Sequence, residues 1–149
     1  ILKQPLLYLS IFFKKNRQEY YDRLQATRNA GDWENWVKFF LRGVYEVSQE
    51  ATSTARRILH LREEHRSIIL QQARLNSAKT LLLLEGLYRK PFMSMPEMSS
   101  LMDISFQTAN RIAGDLLKIG ILKEVTGLRR NRVFEYAPYT ALFKEEQST

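Results

Sequence analysis

Hydrophobic side chains recur every three or four residues through most of the chain, which is the period of an α-helix. Two short helices are predicted in the first thirty residues. The first begins near Pro5, because proline suits the first turn of a helix, and ends near Asn16. The second covers residues 17–28 and stops before Gly31. The beginning of the chain is therefore expected to be helical.

A third and much longer helix is predicted from Trp33 to residue 73. Asp32 is its expected N-cap, because a carboxylate can accept the backbone N–H groups that the first turn leaves free. The apolar seam of this helix follows alternating spacings of four and three residues for about five heptads. Its members are Trp33, Val37, Phe40, Val44, Val47, Ala51, Thr54, Ile58, Leu61, His65 and Ile68.

A helix of this length is longer than one small core can cover, because each residue adds about 1.5 Å. In its first half, the apolar face is broadened by Trp36, Phe39 and Leu41. This half is therefore expected to pack on the two preceding helices. Its second half is expected to form a stalk that leads to the next domain or pairs with another chain. Gly43 is a candidate bend point. His65 has no metal-ligating neighbour on its face and is expected to be structural.

From residue 75 onward the pattern changes to shorter elements. Three helices are predicted at 78–88, 98–102 and 106–119, followed by two short β-type runs at 121–125 and 132–136. This order is typical of a winged helix-turn-helix. The predicted fold class is therefore mainly α. A helical bundle with a long connecting helix spans residues 1–74, and a winged helix-turn-helix with a small two-stranded β-hairpin spans residues 75–149.

The local pattern that points most strongly to a function is the predicted helix that follows Ser105. Ser105 is the expected N-cap of this helix. If its apolar side packs inward, then Ser105, Gln107, Asn110 and Arg111 point outward at its N-terminal end, where a recognition helix meets base edges and phosphates. The guanidinium of Arg111 suits guanine or a phosphate. Gln107 and Asn110 carry the paired donor and acceptor that suit adenine.

The positive net charge of the chain suggests an anionic partner. The chain holds 23 Lys and Arg against 16 Asp and Glu, a formal charge of +7. Between residues 118 and 132 five basic side chains face only one acid, and the arginines of the hairpin would contact phosphates or enter a minor groove. The predicted nucleic-acid-binding residues are Ser105, Gln107, Asn110, Arg111, Arg129, Arg130 and Arg132. The same pattern also fits a protein-docking module or a solvated hairpin tip.

Several classes of site are excluded by composition. The absence of cysteine rules out disulfides, thiol nucleophiles and Cys-ligated metals, and the chain has only two histidines, so no metal site is predicted. No apolar run approaches the roughly 20 residues of a membrane span, so a cytoplasmic protein is expected. The first residues show neither an initiator Met nor the order of a signal peptide, so we expect the chain to begin inside a longer parent.

Segments 5–10, 16–21, 31–36 and 39–41 resemble the C-terminal helices of the Fic (filamentation induced by cAMP) core. Segment 105–132 is similar to the winged helix that follows this core in one large bacterial subgroup. The resemblance covers essentially the whole chain. It implies a parent protein that uses ATP and Mg²⁺ to transfer AMP to hydroxyl side chains of target proteins.

The catalytic loop of that family, His-Pro-Phe-x-Asp/Glu-Gly-Asn-Gly-x-x-Gly-Arg, is absent from this sequence. His60 precedes Leu61 and His65 precedes Arg66, so neither histidine begins the motif. The resemblance places the loop before Ile1 in the parent. No catalytic residue is assigned, and this chain by itself is expected to be neither an enzyme nor a binder of a cofactor.

Two hypotheses about function remain open. In the first, the chain is the C-terminal part of a Fic adenylyltransferase, and its winged helix binds DNA or a protein partner. In the second, it is a free-standing DNA-binding transcriptional regulator that dimerises through the long helix. The expected partners are double-stranded DNA, and a protein target or a second copy that pairs along the long helix. No membrane partner is expected.

Overall fold

The computed structural model describes residues 5–72, 77–128 and 130–144. They divide into two compact units, Ile1–Arg56 (the first unit) and Arg57–Thr149 (the second unit). The elements, in chain order, are α1 (Pro5–Lys15), α2 (Arg17–Ala30), α3 (Trp33–Gln71), α4 (Ser77–Arg89), β1 (Phe92–Ser94), α5 (Met95–Met102), α6 (Phe106–Lys118), β2 (Lys123–Glu124), β3 (Val133–Glu135) and α7 (Ala137–Lys144). The mainly helical class is confirmed.

The junction of α2 and α3 forms as the sequence predicts. Gly31 adopts a left-handed conformation with φ of 69°, and its N–H donates to the carbonyl of Thr27 at 3.0 Å. Glycine takes this conformation without steric cost, so α2 ends there. Asp32 then caps α3, because its Oδ1 accepts the backbone N–H of Asn35 at 3.4 Å.

The first unit has a small aromatic core between α1, α2 and α3. The buried side chains within its described residues are Leu9, Phe12, Phe39 and Val47, and Phe13, Tyr20 and Trp36 pack against them. Gly43 lies where α1 approaches α3. A Cβ built at Gly43 would lie 2.6 Å from the ring of Phe12, so this glycine permits close packing. Helix α3 is continuous through Gly43.

The second half of α3 differs from the expected stalk. Ile69 is fully buried, His65 is 6% exposed, and Leu61 packs against the same core, which belongs to the second unit. The compact units therefore divide at Arg56, inside α3, and not at residue 74. In this half of α3, the apolar seam that the sequence shows is covered by the C-terminal elements of the second unit.

A chain of hydrogen bonds joins α3, α4 and the residue between β3 and α7 in the second unit. His65 Nδ1 on α3 lies 2.7 Å from the hydroxyl of Tyr136, which follows β3. The Tyr136 hydroxyl lies 3.0 Å from that of Tyr88 on α4. Burial lowers the pKa of His65 below its usual 6.5 and raises the pKa of Tyr136. The expectation of a structural histidine is confirmed.

The sheet of the second unit has three antiparallel strands in the order β1-β3-β2. The predicted hairpin is present as β2 and β3, but a two-stranded sheet was wrong. The third strand, β1, pairs Met93 with Phe134 of β3, and both side chains are buried. Strand β1 has three residues, the last of which is the N-cap of α5, so it is too short to show the alternation that identifies a strand.

Two capped helices, α5 and α6, precede the hairpin. Ser94 and Glu97 form a capping box at the start of α5, in which the backbone N–H of Ser94 donates to Glu97 Oε2 at 2.7 Å. A turn at Asp103, with φ of 49°, leads into α6. Helix, strand, helix, turn, helix and hairpin follow one another as in a winged helix-turn-helix. The terminal helix α7 was not predicted.

Two mid-helix glycines should respond oppositely to alanine. Gly43→Ala should destabilise the first unit by about 1 kcal/mol or more, because overpacking against Phe12 outweighs the gain in helix propensity. Gly114→Ala, in α6, has open space for its Cβ and should stabilise by about 0.5–1 kcal/mol. Urea unfolding followed by circular dichroism tests both. Equal stabilisation by the two variants would contradict the close packing at Gly43.

Stability should fall as the pH drops from 7.5 to 5.5. Because burial lowers the pKa of folded His65, the unfolded chain binds more protons in this range, and stability then rises with pH. His65→Gln should reduce this dependence. His60→Gln, at an exposed position of the same helix, is the matched control. Urea midpoints at several pH values provide the measurement, and an unchanged dependence in His65→Gln would contradict the assignment.

Candidate nucleic-acid interface

One side of α6 is buried and the other is open. Its buried side packs into the core of the second unit through Ala109, Ile112, Ala113 and Leu116. The side chains of Gln107, Asn110 and Arg111 lie on the opposite side, and all three are exposed. Their spacing of three and four residues keeps them on one face. The predicted outward orientation of the N-terminal half of α6 is confirmed.

The start of α6 is held by Ser105. Its Oγ accepts the backbone N–H of Thr108 at 3.3 Å and lies 3.0 Å from the Thr108 hydroxyl. Ser105 is therefore an N-cap, and its hydroxyl has a structural role. An open cleft of about 600 Å³ runs along the turn from Asp103 to Phe106, so this end of α6 is accessible.

The hairpin loop, residues 125–132, is called the wing below. Its base is organised by Glu124, whose Oε1 accepts the hydroxyl of Thr126 and the backbone N–H groups of Thr126 at 3.0 Å and Gly127 at 2.9 Å. These bonds, the hydroxyl bond first, lower the pKa of Glu124. Gly127 and Asn131 have positive φ values of 64° and 56°. Sequence reasoning missed the role of Glu124.

The wing and α6 are joined by a hydrogen bond. Arg132 Nη2 donates to Asn110 Oδ1 at 2.5 Å, and the guanidinium carbon of Arg132 lies 5.3 Å from the centre of the Phe134 ring. Two predicted site residues are thus brought together. The carbonyl oxygen of Asn110 is occupied, and half-buried Arg132 is held close to the protein. Both residues therefore position the wing.

Three predicted residues keep their polar groups available. Gln107, Arg111 and Arg130 are exposed, and none makes a hydrogen bond or ion pair with another described residue. Arg129 lies outside the described residues. The exposed site thus combines one amide and one guanidinium on α6 with one guanidinium on the wing. Such groups suit an anionic, hydrogen-bonding surface.

No other chemistry is evident in the part of the chain that the structure describes. No group of three or more His, Asp or Glu side chains is arranged to hold a metal ion there. In the same residues, no helix combines the length and the apolar character needed to cross a membrane.

No family model matches the chain. Among solved structures, the chain is similar to one described as the crystal structure of MarR family transcription regulator SP03579. The two share 17% sequence identity with a TM-score of 0.37, and the match covers 91% of this chain and 76% of that one. This likeness is too weak to carry a functional argument, so the proposals below rest on the chain's own residues.

Removal of the α6 cap should weaken the start of the helix. Ser105→Ala should lower the free energy of unfolding by about 1 kcal/mol, because the backbone N–H of Thr108 loses its acceptor. Ser105→Asp, which supplies another capping oxygen, should retain most of the stability. Urea unfolding and amide hydrogen exchange at Thr108 are the measurements. Equal losses in both variants would show that Ser105 does not act as a cap.

Proposed function

We propose that the second unit binds double-stranded DNA, with α6 in the major groove and the wing along the sugar-phosphate backbone. The observation that carries the proposal is the pairing of an open α6 face with an adjacent wing through the Arg132–Asn110 hydrogen bond. This bond places the wing beside the exposed amide and guanidinium of Gln107 and Arg111. A helix and a basic hairpin on one surface suit a groove and its flanking phosphates.

The free side chains suggest a division of roles. Arg111 can bind guanine in bidentate fashion or grip a phosphate, and Gln107 can pair with the edge of adenine. Arg130 on the wing is exposed and suits a phosphate. Arg132 and Asn110 act by holding the wing against α6. The formal charge of +7 adds a long-range attraction to any polyanion.

The wider identity of the protein is a separate proposal. The resemblance to the Fic family, the AMP-transferring parent and the lack of activity in this chain alone stay predictions, because the described fold does not bear on them. The DNA-binding proposal is compatible with both earlier hypotheses.

The wing and α6 should contribute differently to binding. Arg130→Ala should reduce the slope of log affinity against log salt by about 0.9, because one phosphate contact is lost. Arg111→Ala should cost about 1–3 kcal/mol on a preferred sequence, if it reads a base, and much less on unrelated DNA. Fluorescence anisotropy with labelled duplexes at several salt concentrations provides both measurements.

Arg66→Ala is the matched control. Arg66 is an exposed arginine on α3 of the second unit, so its loss changes the net charge by the same amount at a position outside the proposed surface. Its variant should bind almost as the parent does. If Arg66→Ala and Arg130→Ala reduce the salt slope equally, binding is a general effect of charge and the proposed surface is wrong.

A further inference from the structure

The hydrogen bond between the wing and α6, called the clamp below, fixes the orientation of one side-chain amide. In the clamp, Arg132 Nη2 donates to Asn110 Oδ1 at 2.5 Å. A guanidinium has N–H donors and no acceptor, so the atom of Asn110 that faces it must be the carbonyl oxygen. The two ends of the Asn110 amide are thereby distinguished, because its oxygen is bound and its NH₂ group is free.

Asn110 belongs to the open side of α6. It is exposed, and its NH₂ group makes no hydrogen bond with another described residue. Gln107 and Arg111, which lie three residues before it and one residue after it, are exposed as well. Asn110 therefore offers N–H donors in the middle of the face that we assign to the major groove.

The guanidinium of Arg132 is held at the Asn110 oxygen by a second contact. Its central carbon lies 5.3 Å from the centre of the Phe134 ring, and Phe134 is fully buried in β3. A cation over an aromatic ring is attracted to it, and Arg132 is itself half-buried. The group that occupies Asn110 Oδ1 is thus anchored to the core of the second unit.

A clamped asparagine differs from a free one in the bases that it can bind. A free amide pairs with adenine by donating to N7 and by accepting the N6 amino group on its oxygen. In Asn110 that oxygen already accepts an N–H, and the amino group of adenine would meet a positively charged donor beside it. Guanine presents two acceptors at this edge, O6 and N7, and no donor, so it suits the free NH₂ group.

We propose that the clamp makes Asn110 a specificity-determining residue that favours guanine over adenine. The inference rests on the proposed function, because it requires α6 to lie in the major groove. It differs from the role that the sequence predicts for Asn110, whose amide suits adenine when it is considered alone. Gln107 has an amide that is free at both ends, so it keeps the ability to pair with adenine.

The base preference of the full chain tests the proposal. Bound duplexes are selected from a random pool, and duplexes that differ in one base pair of the selected site then compete for binding. At the position read by Asn110, the unaltered chain should prefer G·C to A·T roughly fivefold, the effect of about one hydrogen bond.

Asn110→Asp identifies that position and separates base reading from the clamp. An aspartate can still accept from Arg132, so the wing stays attached, but it has no donor for guanine. It accepts instead from the amino group of cytosine, so the preference should change from guanine to cytosine on the same strand. A purely structural role of Asn110 would leave the preference as it is in the unaltered chain.

Variants of Arg132 test the clamp itself. Arg132→Ala frees Asn110 Oδ1 and should shift the same position toward adenine, whereas Arg132→Lys keeps a cationic donor and should keep guanine. Arg130→Ala removes a guanidinium of the wing that does not contact Asn110, and it should weaken binding without changing the base preference. The ratio between two duplexes does not depend on a general loss of affinity, and circular dichroism shows whether each variant is folded.

Three outcomes would overturn the inference and keep the proposed function. They are DNA binding without any base preference, a preference that Asn110→Asp leaves unchanged, and a preference for adenine at the position that Asn110→Asp alters. If Arg132→Ala no longer binds measurably, the result with Asn110→Asp decides alone. Absence of binding to every duplex would overturn the proposed function as well, so the two failures are distinguishable.

Discussion

The burial of one side of α6 is the constraint on which the candidate site depends. Ala109, Ile112 and Leu116 lie in the core of the second unit, and the helical period then directs Gln107 and Arg111 to solvent. A rotation of α6 that buried these polar groups would leave them without partners, at a cost of several kcal/mol. The chemistry of the exposed face is therefore a consequence of packing on the opposite face.

The conformation of the wing depends on polar contacts and not on a hydrophobic core. Glu124 gathers donors from Thr126 and Gly127, and Arg132 reaches across to Asn110. Of the basic side chains described in the wing, Arg132 is the one held against α6. The residues that orient the wing thus differ from the unpaired residues on the open face of α6, although both groups belong to one surface.

The helix caps could be predicted from the local sequence, whereas contacts between residues far apart in the sequence could not. Gly31, Asp32 and Ser105 act through atoms within a few residues, so their roles could be predicted from residue type. Strand β1 pairs with β3, about forty residues later in the chain, and neither its length nor its composition reveals that partner. The hydrogen bond between Asn110 and Arg132 is hidden for the same reason.

The long helix α3 shows most clearly what periodicity can and cannot establish. Its spacing identifies a side that needs apolar cover, and the same spacing runs through both halves. In the second half the C-terminal elements supply that cover, and Ile69 is fully buried. In the first half, Phe39 and Val47 lie in the core of the first unit, whereas Trp33 and Val37 remain exposed. What covers a seam is decided by the rest of the fold, so a heptad pattern alone cannot separate a domain core from an interface between chains.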